Sequence, residues 1–244
     1  MGVKIRYHPP PPPPEEGDDD AVDPAFLTVE ELALRHYATK ASGAWRGVHC
    51  EGGVWGAFFA LFFWDVMFAS DVPGVFRSPF QTAPLDLGTD AFFPARKAAI
   101  ERRLQEVSAA DADDLERTIR ARWAAHAGTA CRTIAWSRWT CNGLVDIARC
   151  VGALRLSVVL RLMVEDIGGS SGGMPDLLLY RGGGGGEGGG VAAAAAAAAP
   201  TAMMVEVKSQ SDRLSDQQRM WLAGLAAGGW DVEVLKVAND VGGA

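Results

Sequence analysis

Pro175-Asp176-Leu177-Leu178-Leu179-Tyr180 and, further along, Met203-Met204-Val205-Glu206-Val207-Lys208 are the two stretches on which the fold turns. Each is a short apolar run of strand character that carries charge at one end. Successive residues of a strand face opposite ways, so Glu206 and Lys208, two apart, project to the same side. If 176–181 and 203–208 pair as a hairpin, Asp176 comes beside them. Two carboxylates and an ammonium then converge on one edge of a sheet. Between the two runs lies a block of glycines (182–186 and 188–190, interrupted by Glu187) followed by alanines at 192–199. It reads as an insertion, 182–200, at the tip of that hairpin, where added length costs little stability.

Downstream, Ser215-Asp216-Gln217-Gln218 is a capping box opening a helix that holds Met220, Trp221 and Leu225 and stops at Gly228-Gly229. A last strand over 232–237 completes a strand–strand–helix–strand unit. Upstream the chain is mostly helical. Thr28-Val29-Glu30-Glu31 is a second capping box and predicts a helix over about 29–40. From 52 to 68, Trp55, Phe58, Phe59, Phe62 and Phe63 fall on one helical face and predict a buried aromatic helix. Residues 91–127 carry seven bases against six acids and read as one or two solvated helices. Over 131–161, Arg132, Arg138, Arg149, Arg155 and Arg161 face only Asp146, a local charge of +4 that makes this the best candidate basic surface. Trp136 and Trp139 flank Arg138, so that arginine is a candidate DNA contact. The fold class predicted is α/β, a mixed sheet flanked by helices, with a large helical portion before the strands that carry the charges.

The whole chain has 244 residues and a formal charge of -7. Residues 1–24 hold six acids against Lys4 and Arg6, so -4 of that total belongs to a Pro-rich acidic tail, 1–25, predicted to lie outside the fold. The acidic total excludes binding of nucleic acid by bulk positive charge but not by a local basic groove. The four cysteines show no CxxC spacing, which argues against a zinc site or a disulfide framework and fits a reducing compartment. The most apolar run, 57–68, is interrupted by Asp65 and falls short of the roughly 20 residues of a membrane span. No membrane partner is expected, and the proline-rich start is not that of a secretory signal.

Paired carboxylates beside a lysine suit metal-dependent phosphodiester hydrolysis. Hard Mg²⁺ or Mn²⁺ prefers oxygen ligands and leaves positions for a substrate phosphate, and such an ion lowers the pKa of a bound water. Lys208 would orient that water or neutralise developing charge, and the carbonyl of Val207, between the two side chains, is a further ligand candidate. Arg213, just ahead of a helix N-terminus, is placed to meet a phosphate. The bland alternative is a surface Glu–Lys pair on an edge strand.

The two charged runs, with Val205-Glu206-Val207-Lys208-Ser209-Gln210-Ser211-Asp212-Arg213-Leu214-Ser215 in full, resemble the VRR-type nuclease domain of the Fanconi-associated nuclease family, within the PD-(D/E)xK superfamily. Val29-Glu30-Glu31-Leu32-Ala33-Leu34-Arg35-His36-Tyr37, Val48-His49-Cys50-Glu51-Gly52, and Phe76-Arg77 with Pro84-Leu85-Asp86-Leu87-Gly88-Thr89-Asp90-Ala91-Phe92-Phe93 agree with it in the same order. The resemblance implies a restriction-endonuclease-like fold over one nuclease domain, 26–240. It also implies metal-dependent cleavage of DNA at 5′ flaps or from 5′ ends, and a role in interstrand crosslink repair in the nucleus. Carried over, it makes Glu51, Asp176, Glu206 and the Val207 carbonyl ligands of Mg²⁺ or Mn²⁺, with Lys208 assisting catalysis. The family's long N-terminal region has no counterpart in this sequence, which leaves recruitment partners open. The insertion is expected to project away from the metal. Two rival readings are a non-catalytic DNA-binding or scaffold fragment and a general phosphodiesterase acting on small nucleotides or unstructured strands.

Overall fold

The computed structural model describes residues 4–7, 27–50, 53–165, 172–182 and 199–239. Five strands form one mixed sheet in the order β1-β5-β4-β3-β2: β1 (Lys4–Tyr7), β2 (Arg46–His49), β3 (Leu177–Arg181), β4 (Thr201–Ser209) and β5 (Asp231–Asn239). Neighbours β2/β3 and β3/β4 are antiparallel, whereas β4/β5 and β5/β1 are parallel. The predicted hairpin forms, with Leu177 opposite Val205 and Arg181 opposite Thr201. Most of the insertion, 183–198, lies outside the described residues, as does all of the tail except 4–7. Those four residues depart from the expected tail by pairing with β5 at the sheet edge. They precede the first proline, so their amides are free to extend a ladder that the prolines could not.

The two faces of the sheet bury different partners. Leu177, Leu179, Val205, Val207, Leu235 and Val237 pack against Ala33 and Tyr37 of α1 (Val29–Ala38), whose N-terminus is closed by the expected Thr28/Glu31 box. Leu178, Ala202 and Met204 face the larger core, built on α2 (Val54–Met67). Phe58, Phe59, Phe62 and Phe63 are fully enclosed there, as the aromatic spacing predicts. Around α2 lie α3 (Phe92–Ala109), α4 (Ala112–His126), α5 (Cys141–Val151) and α6 (Ala153–Glu165). The last helix, α7 (Asp216–Ala227), adds Trp221 and Leu225 to the same core and carries the Ser215/Gln218 capping box.

Two arginines depart from the predicted solvated surface at 91–127. Arg96 is 4% exposed; its guanidinium meets both oxygens of Asp86, at 2.6 and 3.2 Å, and the Val66 carbonyl at 3.0 Å. Arg103 donates to the Phe62 carbonyl and to Asp65. The backbone of α2 leaves helical geometry at Phe63, next to that diverted carbonyl. A side chain inserted into the helical ladder is a sufficient cause of the kink.

Candidate active site

Along β4 the residues on the core-facing side run Ala202, Met204, Glu206, Lys208. The first two are buried in the large core, and the last two lie where that core gives way to a polar site. Glu206 is fully buried, which excludes a surface Glu–Lys pair. A carboxylate in that position requires compensation, and it has two strong partners: the Lys208 ammonium 2.6 Å from Oε1, and Gln218, whose Nε2 donates to the same oxygen at 2.6 Å. Lys208 keeps 14% of its side chain exposed, so its charge bridges the buried carboxylate and the site's open side.

Continuing the hairpin register one step past Leu177 and Val205 sets Asp176 opposite Glu206. The half-buried Asp176 accepts a 2.6 Å hydrogen bond from the Val207 N–H at Oδ2. Its own carbonyl accepts the Cys50 N–H at 2.8 Å, just beyond the β2/β3 pairing of His49 with Leu177. Thus β2 delivers the chain to Asp176 at the residue before Glu51, which itself lies outside the described residues. Asp176, Glu206, Val207 and Lys208 are therefore brought together as predicted. Among the described residues, no group of three or more His, Cys, Asp and Glu is placed to hold a metal ion. The donor set assembled here, two carboxylates and an adjacent main-chain carbonyl, is nonetheless hard oxygen throughout, the chemistry that Mg²⁺ and Mn²⁺ select.

Arg213 lies exposed on the loop between β4 and α7, and among the described residues no carboxylate pairs with it. Arg138 is exposed on a single 3-10 turn, Trp136–Arg138, and Trp139 lies against Gly53 at the entrance to α2. The basic surface predicted over 131–161 does not form. Arg149 is bound by Asp113 and Glu116, Arg155 by Asp231, and Arg161 by Glu101 and Glu165, while Arg132 donates to the Leu87 carbonyl. Counting charge within one segment misses acids supplied by distant ones.

Gln218 is the site residue that sequence reasoning assigned only half a role. Its capping of α7 is visible in the Ser-x-x-Gln spacing, and its side-chain oxygen does accept from the Ser215 N–H at 3.0 Å. The amide's other end is then left aimed at Glu206, because the α7 N-terminus sits over the end of β4.

The mixed sheet thus carries a carboxylate–carboxylate–lysine cluster at one end of its hairpin. The chain belongs to the VRR-NUC domain family, whose pattern it matches over residues 110–239. Within that family it is homologous to the C-terminal region of Fanconi-associated nuclease 1. The Fanconi-associated nuclease 1 homolog of Oryza sativa subsp. japonica is 44% identical over 210 residues, covering 86% of this chain and 20% of the rice protein. The Homo sapiens Fanconi-associated nuclease 1 is 36% identical over 221 residues, covering 89% and 20%. The chain thus spans about a fifth of the length of these relatives. The crystal structure of paFAN1 bound to 2nt 5'flap DNA with gap superposes with a TM-score of 0.69 at 27% identity, over 88% of this chain and 35% of that one.

Proposed function

We propose that this chain is a divalent-metal-dependent DNA phosphodiesterase that cuts flap or branched DNA, of the 5′-flap endonuclease and 5′-3′ exonuclease type. Its place is in interstrand crosslink repair in the nucleus. The observation that carries this reading is the buried Glu206 held 2.6 Å from Lys208, beside Asp176. A fully buried carboxylate tied to a lysine at a strand end is an expensive arrangement for stability alone. The DNA held by the paFAN1 crystal structure and the names of the relatives support the choice of substrate.

Asp176, Glu206 and the Val207 carbonyl would hold Mg²⁺ or Mn²⁺, together with Glu51. Such an ion supplies Lewis-acid polarisation of the phosphoryl group and a water of lowered pKa. The chain's own residues do the rest. Lys208 keeps Glu206 in place and presents its ammonium to the negative charge that develops on the phosphate. The Val207 N–H and the Gln218 amide orient the two carboxylates, as the supporting partners of metal ligands generally do. Arg213 and Arg138 would contact DNA phosphates.

The test is cleavage of labelled 5′-flap DNA with Mg²⁺ or Mn²⁺ against an EDTA control. Asp176→Asn and Lys208→Met should each abolish turnover while leaving the circular dichroism spectrum unchanged. Undiminished cleavage by either variant, or cleavage in EDTA, overturns the proposal. DNA binding without cleavage would favour a non-catalytic binding fragment.

A further inference from the structure

Lys236 stands beside the candidate active site on the neighbouring strand. In the parallel pair β4/β5, Glu206 is in register with Val234 and Lys208 with Lys236. Register partners share a face, and adjacent strands lie about 4.8 Å apart. The core-facing series on β5 therefore runs Val232, Val234, Lys236 in step with Met204, Glu206, Lys208. β4 turns charged at Glu206, opposite Val234, and β5 one step further on at Lys236, opposite Lys208, where the large core has ended.

The two lysines are differently engaged. Lys208 is committed to Glu206. Lys236 donates to a main-chain carbonyl, that of Asp212, at 3.3 Å, and among the described residues no carboxylate pairs with it. Asp212 belongs to the loop joining β4 to α7, the loop that also exposes Arg213. Like charges at directly facing positions destabilise a sheet. The facing pair Lys208 and Lys236 at the mouth of a site fits a surface completed by an anionic ligand.

We propose that Lys236 is a DNA-binding residue that, with Arg213, holds a backbone phosphate next to the scissile one and so sets the direction in which the strand crosses the sheet. This inference rests on the DNA phosphodiesterase reading above and extends it by a position that the charged motif does not contain. The carbonyl of Asp212 keeps the ammonium over the loop, and the long lysine stem allows it to move onto a phosphate.

The experiment compares the full chain with Lys236→Gln and Lys236→Arg in binding to labelled flap DNA in EDTA, between about 50 and 200 mM salt. Glutamine removes the charge but retains a donor for the Asp212 carbonyl. Lys236→Gln should bind about fivefold more weakly and lower the slope of log affinity against log salt by about 0.7 to 0.9, the signature of one lost phosphate contact. Lys236→Arg should restore the wild-type slope. With Mg²⁺, Lys236→Gln should raise KM with kcat nearly unchanged. A wild-type slope and KM in Lys236→Gln overturn the inference, as does a lowered melting temperature with the slope intact, which marks a residue that only props the loop. Wild-type chain that neither binds nor cuts DNA overturns the functional reading itself, and this inference with it.

Discussion

Replacing Gln218 separates two jobs that one side chain performs. Its oxygen accepts from the Ser215 N–H and its nitrogen donates to Glu206. Glutamate serves the capping position as well as glutamine, so Gln218→Glu preserves the cap but sets a second carboxylate where the donor lay, 2.6 Å from Glu206 Oε1. Alanine removes both functions. Loss of the side-chain half of the box costs about 1 kcal/mol, and loss of a hydrogen bond to a buried carboxylate about 2 kcal/mol. Gln218→Ala should therefore be destabilised by ~3 kcal/mol. Gln218→Glu loses only the second contribution but adds repulsion between carboxylates at a buried position, and should fall by ~3 to 5 kcal/mol. For a fold of this size each kcal/mol lowers Tm by about 2 to 4 °C, which gives a drop of ~6 °C or more in both variants. Thermal and urea unfolding in EDTA at neutral pH measure this, and the metal requirement for cleavage in either variant should rise ~10- to 100-fold. The decisive comparison is between the two substitutions. If Gln218→Glu melts like the wild type while Gln218→Ala loses only about 1 kcal/mol, the residue is a helix cap alone and the link to Glu206 carries no energy.

Three further outcomes follow from other parts of the fold. Asp86→Ala should cost about 3 to 5 kcal/mol, because it strands the Arg96 guanidinium, whose side chain is 2% exposed; the double change Asp86→Leu with Arg96→Met should be much milder, and equal losses in the two would refute the pairing argument. His126 lies flat on Trp64, ring centroids 4.1 Å apart, and burial first, then the Arg122 charge, outweigh the pull of Asp65 and hold its pKa below 6.5. A lowered histidine pKa contributes stability that is complete above the unfolded value and is lost as pH falls below about 6.5. His126→Phe should flatten that part of the stability–pH curve, and an unchanged curve in urea titrations would show that another group is responsible. Replacing residues 183–198 with a turn of about four residues cuts the β3–β4 connection to roughly a third of its length, worth ~1 kcal/mol of added stability, and should leave flap cleavage intact; lost cleavage would mean that the insertion takes part in the site.

Features set by neighbours along the chain were legible in the sequence. Both capping boxes form as their spacing predicts, because an N-cap hydroxyl and the residue three positions on meet in any first helical turn. The aromatic spacing at 55–63 likewise marks α2 as a buried helix, although burial extends around nearly the whole helix, to Ala57, Ala60 and Leu61, and only the Arg103 contact to Phe62 explains its kink. β2 was not legible. Arg46-Gly47-Val48-His49 has no apolar alternation, and it is a strand because β3 offers it a ladder. β1 is another case, four residues whose strand character comes from the edge of β5.

The sequence by itself determined the charged hairpin: period-two alternation places Glu206 and Lys208 on one face, and an apolar partner run brings Asp176 to their level. The Glu51 assignment came from family resemblance, since nothing in local spacing links it to Asp176. Tertiary structure alone decided which charges are free to act. Arg149 finds Glu116 across 33 residues and Arg155 finds Asp231 across 76, so a stretch of net positive charge becomes a set of internal ties. Gln218 turns toward Glu206, and Lys236 comes beside Lys208, only because α7 and β5 return to the end of β4. Periodicity acts over a few residues and can be read along the chain, whereas a charge is neutralised by whatever the fold carries to within about 4 Å of it, at any separation in sequence.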